Sequence, residues 1–210
     1  MAEILLSIDA VSSRPSNPYT LTSGTKSPVY IDCRRLISFV KERKEAVAML
    51  RSLVEEHMPV KPQYIAGGET AGIPFAAFLS WEMGLPMLYV RKQAKGFGKN
   101  AQVEGRVEEG ATAILVEDLI FDGGSKVNFV NGLRYAGFRV NHVFTLVSYG
   151  LSEEYERTLG SMDVKVHWVT DWPVIVDVAE RTGRFPPDHA RIIREFLRDP
   201  HAWSQTRGGK

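Results

Sequence analysis

Glu117 and Asp118 stand side by side in the run AILVEDLIFDGGS, residues 113–125, and Asp122-Gly-Gly-Ser follows after three residues. Adjacent carboxylates accept hydrogen bonds from hydroxyls and stabilise developing positive charge. A Gly-Gly turn ahead of a helix lets the backbone bend tightly and brings its amides close to a ligand. The helix N-terminus adds positive potential that favours a phosphate. Two carboxylates beside a phosphate repel it unless something intervenes. Ribose hydroxyls supply donors, and Mg²⁺ screens the charge. The stretch therefore suits a phosphorylated sugar. On its own it is equally well explained by a strand end with solvated acids and an ordinary β–α turn.

A second set of residues adds to it. YVRKQAKGFGKNAQVEG places Arg91, Lys92 and Lys95 within five positions, with Lys99 behind them, and carries Gly96, Gly98 and Gly105. Polar residues and glycines make Gln93–Val107 read as a long mobile loop, expected to be poorly ordered over 95–104 without ligand. Clustered cations on such a loop suit a polyanion such as pyrophosphate. Alone, they fit a solvated surface loop.

The elements that must hold these residues follow from periodicity and turn residues. Strands are expected at Val29–Asp32, Tyr64–Ala66, Met87–Val90, Thr112–Val116, Asn141–Tyr149 and Lys165–Val169. Helices are expected over residues 1–11, Lys41–His57, Pro74–Met83, Ser125–Tyr135, Glu153–Leu159, Val174–Glu180 and His189–Leu197. Ser12–Ser27 reads as loop with one strand. This alternation predicts an α/β fold with a central, mostly parallel sheet flanked by helices. In such a sheet ligands bind beyond the carboxyl ends of the strands, where Glu117 and Asp118 are expected. No repeat or linker interrupts the 210 residues, so a single domain over 1–210 is expected.

Composition narrows the partners. A hydrophobic content of 44 % excludes a mainly disordered chain. A net charge of +1 gives no support to a nucleic-acid or membrane-surface role. Cys33 is the one cysteine, which excludes an intrachain disulfide and fits a reducing cytoplasm. The N-terminus MAEILLSIDAV lacks the basic start of a signal peptide, and no apolar run is long enough to span a bilayer. His142, His167, His189 and His201 show no metal-ligand spacing. Trp168 and Trp172 fit core packing better than a cover for an acceptor.

These residues together resemble the type I phosphoribosyltransferases, and among them the orotate-specific branch, over about residues 19–147. YTLTSGTKSPVYIDCRRLISF resembles the acceptor-side segment and IAGGETAGIP the pyrophosphate loop. RKQAKGFGKNAQVEG resembles the catalytic loop, and LVEDLIFDGGSKV the signature for phosphoribosyl pyrophosphate (PRPP). The resemblance implies that fold, with a small acceptor-side hood. It implies transfer of a phosphoribosyl group from PRPP to orotate, Mg²⁺ held mainly by PRPP oxygens and water, and a homodimer whose catalytic loops reach the partner's site. It assigns catalysis to Lys95, Glu117 and Asp118. It assigns PRPP binding to Arg91, Lys92, Lys95, Thr70, Ala71 and the run Glu117, Asp118, Leu119, Ile120, Phe121, Asp122, Gly123, Gly124 and Ser125. Tyr30, Ile31 and Phe121 fall on orotate-binding positions.

Some positions depart from the commoner pattern of that family. Thr22 replaces a lysine, Phe97 a histidine or tyrosine, and Phe121 a hydroxyl residue. Asp122 puts a charge in the phosphate turn, and Ser148-Tyr149 stands in place of an Asp-Arg pair. They keep two further readings open: a phosphoribosyltransferase for another base, and a non-catalytic PRPP-sensing protein of the same fold.

Overall fold

Strands with apolar cores that alternate with one-sided apolar helices bury their surfaces by stacking helices on a sheet. The computed structural model describes residues 1–21, 23–96 and 102–210. In chain order the elements are α1 (Ala2–Ser7), β1 (Val11–Ser13), β2 (Tyr19–Thr20), β3 (Lys26–Ser27), β4 (Val29–Ile31), a 3₁₀ segment (Cys33–Ser38), α2 (Val40–His57), β5 (Tyr64–Gly68), α3 (Gly72–Met83), β6 (Met87–Val90), β7 (Val103–Glu104), β8 (Ala113–Ile120), α4 (Gly124–Tyr135), β9 (His142–Ser148), α5 (Ser152–Thr158), β10 (Lys165–Asp171), α6 (Trp172–Arg181), α7 (Pro187–Arg198) and α8 (Pro200–Gln205). They fall into two compact units, one of residues 1–42 with 170–210 and one of residues 43–169.

Among the described residues the main sheet has six strands in the order β10-β9-β8-β5-β6-β7. The pairs β5–β6, β5–β8 and β8–β9 are parallel, and β7 runs antiparallel to β6. The expected mostly parallel sheet with flanking helices is the fold observed. Gly67 lies opposite Val116, and Gly68 opposite Val90, so β5 and β6 end beside the Val116–Glu117 step of the parallel strand β8. β8 is central, which is why its apolar run Ala113–Val116 is buried throughout. α3 packs on β5 and β8. Phe129, Val130 and Leu133 of α4 pack in one cluster with Ala113, Leu115 and Val143.

In the unit of residues 1–42 and 170–210, β1 pairs with β4 and β2 with β3, both antiparallel. α6 packs against α1 and α7. α7 buries Ala190, Ile193 and Phe196, an i, i+3 stripe, and turns its charges outward; Arg194 bonds Asp177 and Glu180 at 2.7 Å each. Cys33 and Trp172 are fully buried, so both pack the core.

Four segments differ from the expected elements. Ser12–Ser27 takes part in three short strands, because the neighbouring chain offers antiparallel partners that no local pattern reveals. Val103 and Glu104 leave the expected loop to form β7 on Val90 and Tyr89. α8 follows α7 directly, capped by Asp199, whose Oδ1 accepts the Ala202 N–H at 2.8 Å. β8 continues past Val116 to Ile120, because β9 goes on pairing with it through Leu119–Val147 and Ile120–Ser148.

Candidate active site

That last difference places the two acids inside a strand. Glu117 and Asp118 occupy the carboxyl-terminal half of β8, 5 % and 8 % exposed. Backbone alternation sends their side chains to opposite faces. Glu117 lies where α4 covers the sheet, and its Oε2 accepts from Lys126 Nζ at 2.9 Å; both side chains are under a tenth exposed. Lys126 Nζ also meets Ser125 Oγ at 3.2 Å. Glu117 Oε1 is buried and has no hydrogen-bond partner among the described residues. Two glycines make room for it: a Cβ on Gly68 or Gly72 would run into Oε1. Burial pushes the Glu117 carboxyl above its ordinary value. Lys126 opposes that rise, and the neighbouring Asp118 adds to it.

The turn after β8 is shaped by Gly123, whose φ of 83° lies in the left-handed region that glycine adopts without strain. The Gly123 carbonyl accepts from the N–H groups of Lys126 and Val127, which starts α4. Asp122 Oδ1 accepts the Gly124 N–H at 2.9 Å. This is an Asx-type bond to the residue's own turn. Leu119 and Ile120 complete the strand ahead of it. Phe121 and Tyr149 meet edge to face with centroids 4.8 Å apart, so two departures from the family pattern form one contact.

β5 supplies the adjoining loop. Glu69 N–H donates to the Val90 carbonyl, and Glu69 Oε2 accepts the Lys92 N–H at 2.8 Å. Thr70 and Ala71 follow, across a cis Glu69–Thr70 bond, and α3 begins at Gly72. Of the expected cations, Lys92 and Lys95 are exposed. Arg91 is part-buried and lies 3.4 Å from Glu104 across the β6–β7 hairpin. The stem of the cationic loop is held tightly: Arg91 N–H donates to the Gln102 carbonyl, Gln102 Nε2 to the Arg91 carbonyl, and Asn128 Nδ2 to the Lys92 carbonyl. The tip, with Phe97 and Lys99, lies outside the described residues, as does Thr22.

Tyr30 and Ile31 belong to the other unit. There Tyr30 is 37 % exposed with its ring 5.5 Å from Tyr19, and Ile31 is buried and paired with Val11. Sequence reasoning gave no role to Lys126, Glu69 or Asn128. Lys126 carried a signal, a cation at the first turn of a helix that follows two acids. His142 and His167 also have a partner that spacing did not reveal. Their rings meet at 3.0 Å between Nδ1 and Nε2, and His57 stacks on His167 at 4.2 Å.

No family model matches the chain. Among curated proteins it is 43 % identical to the orotate phosphoribosyltransferase of Agrobacterium fabrum, over 100 % of this chain and 90 % of that one. Among solved structures it is similar to the orotate phosphoribosyltransferase of Aeropyrum pernix, with a TM-score of 0.74, 30 % identity, and coverage of 88 % of this chain and 99 % of that one. It is also similar to the UMP synthase of Leishmania donovani, with a TM-score of 0.78 and 26 % identity, covering 93 % of this chain and 41 % of that longer one. With an acid pair, a Gly-Gly turn and a cationic hairpin on one sheet edge, and a full-length likeness of this degree, the chain belongs to the orotate phosphoribosyltransferase family.

Proposed function

We propose that the chain transfers the 5-phosphoribosyl group of PRPP to orotate, giving orotidine 5′-monophosphate and pyrophosphate, a step of pyrimidine synthesis. The observation that carries the reading is the edge where β8 ends. There a buried carboxylate with an unpartnered oxygen precedes an amide-rich turn, and the β5 loop with Thr70 and Ala71 adjoins it.

During transfer, positive charge develops on the ribose and negative charge on the leaving pyrophosphate. From the two faces of β8, Glu117 and Asp118 offset the positive charge that develops on the ribose. Lys92 and Lys95 neutralise the leaving group, with Arg91 contributing less because Glu104 already faces it. The amides of Gly123 and Ser125 hold the 5′-phosphate, since Asp122 already occupies the Gly124 N–H. Phe121 contributes to the acceptor side. Closure of the cationic loop excludes water that would hydrolyse PRPP.

Mg²⁺ is the cofactor of this proposal, and when bound it offsets charge on the pyrophosphate. Oxygen-rich chemistry at the strand end fits a hydrated ion of this kind, with PRPP and water as its ligands. The working form is a homodimer in which each loop serves the partner's site, in the cytoplasm. No nucleic acid or membrane takes part, and no helix among the described residues is long and apolar enough to cross a membrane.

Spectrophotometric loss of orotate with PRPP and Mg²⁺ tests the reading, with uracil and purine bases as controls. Turnover of orotate alone is expected. Turnover of another base in its place would show that the Phe121–Tyr149 contact belongs to a different acceptor site. Absence of PRPP binding in calorimetry would leave a non-catalytic protein of the same fold.

A further inference from the structure

Glu117 stands in a place where a carboxylate resists ionising. It is buried, it neighbours Asp118, and the strand residue opposite it is the neutral Thr145. The β5 and α3 sides of its slot are Gly68 and Gly72, which bring no charge. Two cations act on it, Lys126 from α4 at 2.9 Å and, more weakly, Lys92 from the loop stem. Of these two, Lys126 is the one buried with it.

We infer that Lys126 is a positioning residue for the transfer reaction: its ammonium binds Glu117 Oε2, fixes the orientation of the buried carboxylate, and keeps it ionised while positive charge develops on the ribose. The inference rests on the function proposed above. The pair differs from a purely structural ion pair in the state of the other oxygen. A structural pair satisfies both carboxylate oxygens, because an unmatched buried acceptor is costly. Here one oxygen is matched by Lys126 and the other is packed unpartnered against Gly68 and Gly72, so the charge is held at a cost that packing alone does not call for. The cation also fixes the carboxylate's orientation, since Lys126 is anchored in the first turn of α4 by its own N–H to the Gly123 carbonyl.

Without Lys126 the carboxyl would take up a proton more readily, and a protonated Glu117 is a poorer acceptor and no longer offsets positive charge on the ribose. The effect is therefore a matter of pH. In Lys126→Met, kcat/KM for PRPP at pH 7 should fall about 10-fold or more and recover toward the wild-type value as pH rises to about 9. Lys126→Arg, which keeps the cation, should retain the wild-type profile. A readout independent of turnover is the ¹³C titration of side-chain-labelled glutamate, with the Glu117 signal assigned by its loss in Glu117→Gln. Its midpoint should rise by about one pH unit or more in Lys126→Met. If Lys126→Met does not fold, Lys126→Gln carries the same titration.

A loss of activity equal at all pH values, with an unmoved Glu117 midpoint, would overturn the inference and leave Lys126 a packing residue. Wild-type protein that fails to turn over orotate and PRPP would instead sink the proposed function. The carboxyl midpoint would then still decide whether Lys126 sets the charge of Glu117.

Discussion

Asp122 shows how one side chain can settle a conflict that its charge creates. A carboxylate facing a phosphate dianion at ~4 Å would meet several kcal/mol of repulsion at an effective dielectric near 20. Asp122 instead turns back to the Gly124 N–H, so the turn gives up one amide and keeps the charge bonded to its own backbone. Asp122→Asn preserves that acceptor, and its PRPP affinity, read by calorimetry, should change by no more than about threefold. A large gain would mean that the carboxylate does face the phosphate. Lys95 is the opposite case, an exposed cation that the proposed mechanism sets against the leaving pyrophosphate. Lys95→Ala should lower kcat by about 10²-fold or more, the scale of losing an electrostatic group that acts in the transition state. Near-normal turnover would remove Lys95 from the mechanism.

At the scale of elements, the geometry of the edge depends on how closely β5, α3 and β8 approach. Gly68 is the tightest point: a Cβ there would press on Glu117 Oε1 and come within 2.7 Å of Phe129 Cε2. Neither neighbour can retreat, because Glu117 is tied to Lys126 and Phe129 is 2 % exposed. Gly68→Ala should therefore cost about 1–3 kcal/mol, the usual range for overpacking, as a lowered melting temperature. An unchanged melting temperature would show that the slot is wider than described. The elements that make this edge were legible because their signals are local. An apolar run, an acid pair and a Gly-Gly turn in thirteen residues specify strand, edge and helix start together. β7 was not legible: Val103 and Glu104 carry no strand pattern and pair only because β6 lies beside them. The Glu117–Lys126 bond escaped for a similar reason. Nine positions separate the two, and only the packing of α4 on the sheet shows that the lysine turns inward.

At the scale of the whole molecule, two expectations reach beyond the candidate site. The first concerns stability against pH. Burial lowers the His167 pKa from its ordinary value to about 4, with His57 and His142 adding to the fall, and burial lowers His142 as well. Lys165 opposes protonation of both, and Asp163 favours it at His142. The unfolded chain binds protons at these rings near pH 6.5 and the folded one does not, so stability is retained above that value and lost as pH falls toward 4. Melting temperatures at pH 7.5, 5.5 and 4.5 should show this slope, and His167→Gln should flatten it; equal slopes would remove the cluster from the account.

The second concerns the proposed dimer, where symmetry makes a quantitative test. If each cationic loop serves its own subunit, a mixture of two inactive variants stays inactive, because every site keeps one defect. If the loop serves the partner, a heterodimer of Lys95→Ala with Asp118→Asn has one site carrying both defects and one carrying neither. Random reassortment makes half of the dimers heterodimers, so refolding the two variants together should restore about a quarter of wild-type activity. The measurement separates the two arrangements by presence or absence of a signal. Recovery would establish both the dimer and the exchange of loops. Continued inactivity, with heterodimers shown by mass spectrometry to have formed, would place each loop over its own subunit's Glu117 and Asp118.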